Sequence, residues 1–357
     1  MSEHYERVEK TFVTPDMTIG QALRTMSESA ARIVFVVDPS RVLLGVMTDG
    51  DVRRWIIDGR SLDEPVSAAM NAAPLTLPAG SPLEDAQALM ISRHVECVPL
   101  VDAAGTVVGA VWWLDLFGAP HVEHERLGLP VVIMAGGQGT RLAPLTTILP
   151  KPLMPVGDRT ILELIMERFA EYGCEPFYLS VNYKANLIRA YVADLDLAYA
   201  VDYVEESRPL GTAGSLSLLR EQLGTTFFLT NCDIAVDADY ADIVDFHRSR
   251  SNRITLVASA KHLTVPYGVC EIAEGGALVG MREKPEFDFL VSTGFYIVEP
   301  SVLGDIDDDA FSHMTDVINR YLVRGEKVGV YPVPEHSWID IGEVEALKDT
   351  LQRFGVS

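Results

Sequence analysis

The chain has 357 residues, of which 48% are hydrophobic and 22% are charged. Because domains commonly hold about 100–200 residues, the length predicts two or three domains with enough apolar residues for packed cores. The chain has 29 lysines and arginines against 51 acidic residues, a formal net charge of −22. This charge argues against a nucleic acid or an anionic membrane as a partner, and solubility alone accounts for the acidic excess.

The four cysteines are scattered along the chain without the paired spacing of a zinc site or a disulfide framework, which fits a reducing compartment. The N-terminal segment MSEHYERVEK lacks the apolar core of a signal peptide. No apolar run approaches the roughly 20 residues that are needed to cross a bilayer. We therefore expect a soluble cytoplasmic protein.

The first third of the chain contains an internal repeat. Segment 32–56 resembles segment 96–120, and Gly45 has a glycine counterpart 64 residues later. Apolar residues at helical spacing precede each copy, and turn residues divide its two apolar runs, so each copy predicts the order helix, strand, turn, strand, helix. The repeats extend over about 10–66 and 67–120, within a predicted module at 1–120.

This repeat resembles a tandem pair of CBS domains, a family whose two copies pack into one α+β module and often bind adenosine or guanosine nucleotides. The family's nucleotide signature matches the first copy at Gly45, Thr48 and Asp51. The resemblance implies that Asp51 binds ribose hydroxyls and that the Thr48 hydroxyl reaches a phosphate. Because Trp112 replaces the threonine in the second copy, we expect one competent ligand site. A module that serves only for dimerisation is the alternative, and in either case we expect a homo-oligomer.

Residues 121–129 are polar and lack apolar periodicity, which predicts a linker before a second domain at 130–357. From residue 131 onward, short apolar runs alternate with amphipathic stretches, a pattern typical of α/β architecture with a mostly parallel sheet. The predicted strands are 131–135, 177–182, 226–231, 254–260, 294–298 and 327–333. The predicted helices are 160–173, 239–250 and one from about 343. Ligands in such sheets bind at the carboxyl ends of strands, here just after 134, 182 and 231.

The run VVIMAGGQGTRLAPLTTILPKPLMP, residues 131–155, places three glycines directly after a strand. Gly136, Gly137 and Gly139 let the backbone approach a ligand closely, with amide groups free to bind phosphate oxygens. The run lacks the Gly-Lys-Ser/Thr ending of a Walker A loop, and Leu142 stands where a dinucleotide fingerprint needs its third glycine. The sequence therefore predicts a phosphate or nucleotide cradle of another kind.

Two cations follow this loop. Arg141 lies two residues after the last glycine, and Lys151 is flanked by Pro150 and Pro152. The prolines predict extended rather than helical backbone at the lysine. We expect this lysine to point back towards bound phosphates.

The order Gly-Gly-x-Gly-Thr-Arg-Leu-x-Pro, followed by Lys-Pro, resembles the signature of the sugar-1-phosphate nucleotidyltransferases. Members of this family have a Rossmann-like catalytic domain and convert an NTP and a sugar 1-phosphate into an NDP-sugar and pyrophosphate. The resemblance implies that Arg141 and Lys151 act on the phosphates. It also implies nucleotide binding by a set of loop residues and by a later glycine in PLGTAGSL: Ala135, Gly136, Gly137, Gly139, Thr140 and Gly211.

Further segments match this family in order. FFLTNCD places Asp233 where the family has a metal-binding aspartate, although the family often has glycine at the position of Cys232. SWIDIGEVEAL supplies the second such aspartate, Asp340, and the resemblance implies Mg²⁺ between the two. The sugar-phosphate segments imply roles for Gly268, Glu283, Lys284 and Gly294. Asn182, at another strand end, is a weaker candidate for the same site, with a satisfied turn residue as the alternative.

The domain order, with a CBS pair ahead of this domain, is similar to that of bacterial guanylyltransferases that act on glucosamine 1-phosphate in legionaminic-acid synthesis. We therefore favour GTP as the nucleotide and a product such as GDP-glucosamine. Mannose-1-phosphate guanylyltransferase and a uridylyl- or thymidylyltransferase are the alternatives. A non-catalytic regulatory subunit is less favoured because Arg141, Lys151, Asp233 and Asp340 are all present.

Overall fold

A computed structural model describes residues 7–117 and 125–340, and its contacts form two compact units. The first unit combines the described part of 1–122 with Ala260–Leu290 and 334–336, and the rest belongs to the second unit. The predicted helix from about 343 and residues 121–124 of the predicted linker lie outside the described residues. The domain boundaries at 120 and 130 stay a prediction.

The described strands and helices follow the predicted alternation. The strands are β1 (Phe12–Val13), β2 (Ile33–Val37), β3 (Leu43–Thr48), β4 (Leu77–Pro78), β5 (Cys97–Val101), β6 (Val107–Trp112), β7 (Val131–Met134), β8 (Pro155–Val156), β9 (Arg159–Thr160), β10 (Phe177–Val181), β11 (Val201–Glu205), β12 (Phe227–Asn231), β13 (Ile234–Val236), β14 (Ile254–Thr264), β15 (Val269–Ile272), β16 (Leu278–Arg282), β17 (Glu286–Val298), β18 (Val328–Val333) and β19 (Trp338–Asp340). The helices are α1 (Ile19–Glu28), α2 (Asp49–Ile57), α3 (Leu83–Arg93), α4 (Trp113–Phe117), α5 (Ile161–Glu171), α6 (Ala185–Asp194), α7 (Gly211–Gly214), α8 (Tyr240–Arg250) and α9 (Met314–Val323).

Each N-terminal repeat forms its own three-stranded sheet, in the orders β1-β2-β3 and β4-β5-β6. In both sheets the first strand is parallel to the second, and the second and third are antiparallel. The two sheets are joined at the turns, where Leu43 donates a backbone hydrogen bond to Gly105 at 3.0 Å and Val107 donates one to Arg41 at 3.0 Å. The predicted order helix, strand, turn, strand, helix is confirmed in both copies.

The second unit is built on a seven-stranded sheet in the order β11-β10-β7-β12-β17-β14-β18. β7 pairs in parallel with both β10 and β12, and β10 pairs in parallel with β11. β17 is antiparallel to β12. The predicted mostly parallel α/β sheet is confirmed. Within the described residues, no helix is both long and apolar enough to cross a membrane.

Helix α5 covers one face of this sheet for reasons visible in the sequence. Thr160 accepts a hydrogen bond from the Glu163 amide at 3.3 Å, and the Glu163 carboxylate accepts one from the Thr160 amide at 2.7 Å, which is the predicted capping box. The helix ends before Gly173, which has a positive φ of 60°. Its Phe169 lies in an aromatic cluster with ring-centroid distances of 5.2 Å to Phe228 and 5.5 Å to Phe295.

Residues Ala260–Leu290, here called the arm, belong to the first unit and include the distal ends of β14 and β17. The sequence predicted shorter strands at 254–260 and 294–298. The distal residues are half-buried or exposed, and charged residues leave only a short apolar run among them, at 289–291. The arm also holds the antiparallel hairpin β15–β16, in which Val269 pairs with Arg282.

Candidate active site

The predicted glycine loop begins at the carboxyl edge of the parallel strands. Ala135 is fully buried and donates a backbone hydrogen bond to Ser180 at 2.8 Å, while the Cys232 amide donates to Met134 at 3.3 Å. Because β7, β10 and β12 are parallel neighbours, the residues that follow them share one edge of the sheet. The glycine loop, Asn182 and Asp233 therefore lie at the same edge, as predicted.

The three loop glycines differ in what surrounds them. A Cβ at Gly136 would lie 3.0 Å from Glu206 Oε1, and a Cβ at Gly139, where φ is +63°, would lie 2.8 Å from Thr146 Cγ2. Both positions are therefore closed to larger residues by the protein itself. A Cβ at Gly137 would meet no other described atom within 4 Å, so packing within the described protein does not require this glycine. Thr140 opens a 3-10 turn, Thr140–Leu142, directly after the loop.

Lys151 and Asp233 form an ion pair at this edge. Their side chains are 16% and 17% exposed, so solvent and salt weaken the attraction between the two charges much less than in a surface pair. The prediction of extended backbone at Lys151 is wrong, since the residue opens a 3-10 turn, Lys151–Leu153. Pro152 fits the second position of this turn because an amide near a helix start needs no intrahelical partner.

Asp340 is brought next to Asp233 by the β13–β19 ladder, where it pairs with Ile234. The side chains of Asp340 and Arg141 lie outside the described part of the structure. The described residues contain no group of three or more His, Cys, Asp or Glu that could hold a metal ion. Two neighbouring aspartates fit Mg²⁺, which uses one or two carboxylates together with water and substrate phosphates.

Cys232, between Asn231 and Asp233, has no chemical role in this arrangement. Burial raises the pKa of its thiol to about 12, and the negative charge of Asp233 adds to the rise. The thiol is therefore protonated at neutral pH and is a poor nucleophile. Its side chain belongs to the buried hydrophobic core of the second unit.

Sequence reasoning missed Glu206, a buried carboxylate behind the glycine loop. It is 7% exposed and accepts hydrogen bonds from the Ser180 hydroxyl at 2.6 Å and the Leu210 amide at 2.9 Å. The backbone carbonyl of Glu206 accepts a hydrogen bond from the side-chain amide of Asn182 at 2.6 Å. This contact favours the alternative that Asn182 is a satisfied turn residue. The sequence signal that could have identified Glu206 is its position, an acidic residue directly after β11 at the same edge of the sheet.

Two further predicted ligand glycines have backbones that favour glycine. At Gly211 φ is +81° and a Cβ would lie 2.4 Å from the Ser312 carbonyl oxygen. At Gly294 φ is +84° and a Cβ would lie 2.4 Å from Asn231 Nδ2. These glycines are explained by the fold whether or not a ligand also contacts them.

The remaining sugar-phosphate candidates lie together on the arm. A Cβ at Gly268 would lie 3.1 Å from Glu283 Oε2, because the β15–β16 pairing brings their neighbours opposite each other. Lys284 follows with a left-handed backbone, φ +44°, which is uncommon for a residue other than glycine.

The predicted CBS ligand residues cap a helix. Thr48 precedes α2 and donates its hydroxyl to Asp51 Oδ2 at 2.7 Å, and Arg54 pairs with Asp51 Oδ1 at 2.5 Å. In the second copy, Arg7 pairs with Asp115 at 2.9 Å and its guanidinium lies 4.7 Å from the centre of the Trp112 ring. The Thr-x-x-Asp pattern therefore has a structural role, and nucleotide binding by these residues stays a prediction.

Known proteins resemble both parts of the chain. The family model described as nucleotidyl transferase matches residues 130–354, and the CBS domain model matches 7–58 and 66–111. The mannose-1-phosphate guanylyltransferase catalytic subunit beta of Drosophila pseudoobscura pseudoobscura is 32% identical over 235 residues, which are 63% of this chain and 62% of that protein. The mannose-1-phosphate guanyltransferase of Yarrowia lipolytica is 31% identical over 220 residues, 59% of this chain and 60% of that protein.

The chain thus spans about 60% of the length of these curated relatives. Among solved structures, HddC from Yersinia pseudotuberculosis is 25% identical with a TM-score of 0.51, and the match covers 63% of this chain and 99% of HddC. The family match extends over more than half of the chain and includes the loop, Lys151 and both aspartates. The chain therefore belongs to the nucleotidyl transferase family, and two CBS domains precede the family's domain.

Proposed function

We propose that the protein transfers a nucleoside monophosphate from an NTP, with GTP favoured, to a sugar 1-phosphate, forming an NDP-sugar and pyrophosphate. The observation that carries this proposal is the Lys151–Asp233 pair beside the glycine loop at the carboxyl edge of the sheet. The loop supplies backbone donors for phosphates, the lysine supplies positive charge, and the aspartate supplies a ligand for a metal ion. A reaction between two polyanions needs all three.

In the proposed reaction, a phosphate oxygen of the sugar 1-phosphate forms a bond to the α-phosphorus as the bond to pyrophosphate breaks. The attacking oxygen is already ionised, so no general base is required. Catalysis is then mainly positioning and charge stabilisation. The backbone from Ala135 to Thr140 holds the triphosphate, Lys151 stabilises charge at the α-phosphate, and Arg141 neutralises the departing phosphates.

Asp233 and Asp340 are the residues that would hold a divalent ion, for which we propose Mg²⁺. An ion held there would supply positive charge for the phosphate oxygens of the two substrates. Since Lys151 pairs with Asp233 in the ligand-free protein, substrate binding exchanges this contact for contacts to phosphate. For the sugar 1-phosphate we propose Lys284 on its phosphate and Glu283 on its hydroxyls. The resemblance also proposes Gly268, Gly294 and Asn182 as residues that contact the sugar.

The preference for GTP is supported by the names of the relatives and by Glu206. Guanine presents its N1–H and N2–H₂ donors side by side, and a carboxylate accepts both in one plane. Each oxygen of Glu206 accepts one hydrogen bond from the protein and has lone pairs left over. Uracil and thymine present only one donor between two carbonyl oxygens, which a carboxylate repels. For the sugar substrate we propose glucosamine 1-phosphate or mannose 1-phosphate. The experiment below also tests the alternatives, a uridylyl- or thymidylyltransferase.

The test is pyrophosphate release across a grid of four NTPs and several hexose 1-phosphates with Mg²⁺. We expect release with GTP and one sugar, and loss of that release in Asp233→Asn. A shift towards UTP in Glu206→Gln would support the base assignment. Absence of release in every combination, from folded protein that binds nucleotide, would favour the non-catalytic regulatory alternative.

For the CBS module we propose a regulatory role that acts through the arm. Arg24 of α1 donates to Glu286 Oε2 at 2.5 Å and contacts His262 at 2.7 Å. A Cβ at Gly20 would lie 2.4 Å from Asp288 Oδ2, which shows how closely α1 packs on the arm. The arm also carries Glu283 and Lys284, so a change at α1 reaches proposed substrate residues.

The corresponding experiment titrates AMP, ATP, GDP and GTP against activity in the full chain. Arg24→Glu should abolish any response, and adding Glu286→Arg should restore part of it. An unchanged response in Arg24→Glu would remove this contact from regulation. The cytoplasmic location and the homo-oligomeric state stay predictions.

A further inference from the structure

The turn after β10, residues Tyr183 and Lys184, contacts the segment that connects the glycine loop to Lys151. Lys184 Nζ donates hydrogen bonds to the carbonyl oxygens of Thr147 and Ile148, both at 2.6 Å. Bonds from a charged donor to two consecutive carbonyls are stronger than neutral ones and fix the direction of the peptide. This lysine thus holds the middle of the connecting segment.

The backbone of Lys184 is itself unusual. Its φ of 53° and ψ of 36° lie in the left-handed region, which costs free energy for a residue with a Cβ. Such a conformation persists only where the surrounding contacts determine it. The residue directly precedes α6, where its side chain, which can only donate, makes no capping hydrogen bond and donates to the two carbonyls.

Neighbouring contacts extend the same attachment to both ends of the segment. The buried Thr146 donates its hydroxyl to the Gly139 carbonyl at 2.9 Å, and Tyr183 donates its hydroxyl to the Thr146 carbonyl at 3.3 Å. The Tyr183 amide donates to the Gly136 carbonyl at 3.4 Å. A Cβ at Gly139 would also lie 3.2 Å from Lys151 Cβ, so the loop, Thr146 and Lys151 form one packed group.

Apolar burial does little to hold the middle of this segment. Leu145, Ile148 and Leu149 are 50%, 75% and 39% exposed. A segment with few buried apolar contacts opens easily unless polar contacts hold it. The segment has backbone hydrogen bonds within its own turns and the Thr146 contact to Gly139. The hydrogen bonds from Tyr183 and Lys184 add an attachment to the turn after β10.

We propose that Lys184, assisted by Tyr183, is a positioning residue that fixes residues 139–151 and so sets the geometry of the glycine loop and Lys151 around the triphosphate. The expected effect on catalysis rests on the proposed transferase function, whereas the attachment of residues 139–151 does not. Misplacement of preorganised groups by a fraction of an ångström lowers the rate of phosphoryl transfer without removing any group that touches the substrate.

The first test is hydrogen exchange of the ligand-free full chain, which needs no activity. Lys184→Met keeps the apolar stem and removes the donors, and we expect amide exchange within 139–151 to rise about tenfold or more. Lys184→Arg, which keeps a charged donor, should restore most of the protection. Lys327→Met is the matched control, because Lys327 also donates to a backbone carbonyl, that of Arg250 at 3.3 Å. Unchanged exchange in Lys184→Met would overturn the proposal.

The second test separates positioning from general destabilisation. In Lys184→Met we expect kcat to fall by about 10- to 100-fold while the KM for the sugar 1-phosphate stays within about twofold. Lys184→Arg should recover most of kcat. If Lys184→Met does not fold, Thr146→Val and Tyr183→Phe serve for both tests.

The outcomes distinguish the two proposals. Faster exchange with an unchanged kcat, or a loss of activity that only follows a lower unfolding temperature, would overturn the positioning role. Faster exchange in the variant, combined with no transferase activity in the wild type, would refute the proposed function and leave the structural attachment supported.

Discussion

At the residue scale, the glycine loop separates positions that the fold requires from a position that it does not. Gly136 and Gly139 are enclosed by Glu206 and Thr146, so a side chain at either position disturbs the protein itself. Gly137 faces open space among the described residues. Open surroundings alone do not identify a ligand, since Gly224 has them too. The proposed phosphate cradle places a ligand against the backbone at Gly137.

This difference predicts the effect of Gly137→Ala. We expect its unfolding temperature to stay within about 2 °C of the wild type, since a tolerated surface substitution changes stability by less than about 0.5 kcal/mol. The KM for the NTP should rise by about tenfold or more, because a methyl group would enter the space of the phosphates. Gly224→Ala, at another glycine with open surroundings, is the control and should change neither quantity. Equal NTP affinity in Gly137→Ala would show that no ligand packs at this position.

At the element scale, α5 is held on the sheet by the aromatic cluster around Phe169. Its ring lies 4.9 Å from that of Tyr240 and is stacked 5.5 Å from that of Phe295. The cluster connects two helices to the strands β12 and β17. It therefore stabilises the sheet edge that carries Asp233.

Phe169→Ala should lower the free energy of unfolding by about 3–5 kcal/mol, the usual cost of a large buried cavity. Denaturant unfolding followed by circular dichroism measures this loss. Phe289→Ala, at a side chain that is 43% exposed, is the comparison and should cost much less. Similar costs for the two variants would show that the cluster does not anchor α5.

Helix α8 contributes a pH dependence through His247. Burial lowers the pKa of this imidazole below its ordinary value of 6.5, although the contact with Glu299 at 3.0 Å opposes the shift. The unfolded chain therefore binds a proton more readily than the folded protein, and the stability that is present above pH 6.5 is lost as the pH falls towards the folded pKa.

We expect the urea midpoint to decrease between about pH 7.5 and about pH 5.5, a range in which unfolded carboxyl groups stay mostly ionised. In His247→Gln the decrease should be smaller, because this titrating group is gone. The same slope in both proteins would mean that His247 does not set the pH dependence.

At the scale of the whole molecule, much could be predicted from the sequence because the signals are local. The capping residues Thr160 and Glu163, the glycines after β7 and the 64-residue repeat each depend on short-range pattern. The distal ends of β14 and β17 were not predicted, because their half-buried or exposed residues include several charged ones and only a short apolar run at 289–291. The packing of α1 on the arm and the burial of Glu206 depend on contacts between distant residues, which no local pattern records.

The site shows the same division. The strand ends predicted that Asp233 and the glycine loop would meet, and the ladder places Asp340 opposite the neighbour of Asp233. The extended backbone predicted for Lys151 was wrong because a proline at the second position of a 3-10 turn costs little. Two roles remained hidden, those of Tyr183 and Lys184, because a lysine that binds carbonyls has the same sequence signal as one on a solvated turn.

Lys151 and Asp233 are proposed to form the reactive centre of a nucleotidyl transfer. The most direct measurement is the conversion of α-labelled GTP into labelled NDP-sugar, with GTP binding measured in parallel on the same samples. We predict that Lys151→Met binds GTP within about tenfold of the wild type but forms product at least ~100-fold more slowly, the usual effect of removing a preorganised charge. Product formation by Lys151→Met at close to the wild-type rate would contradict the account.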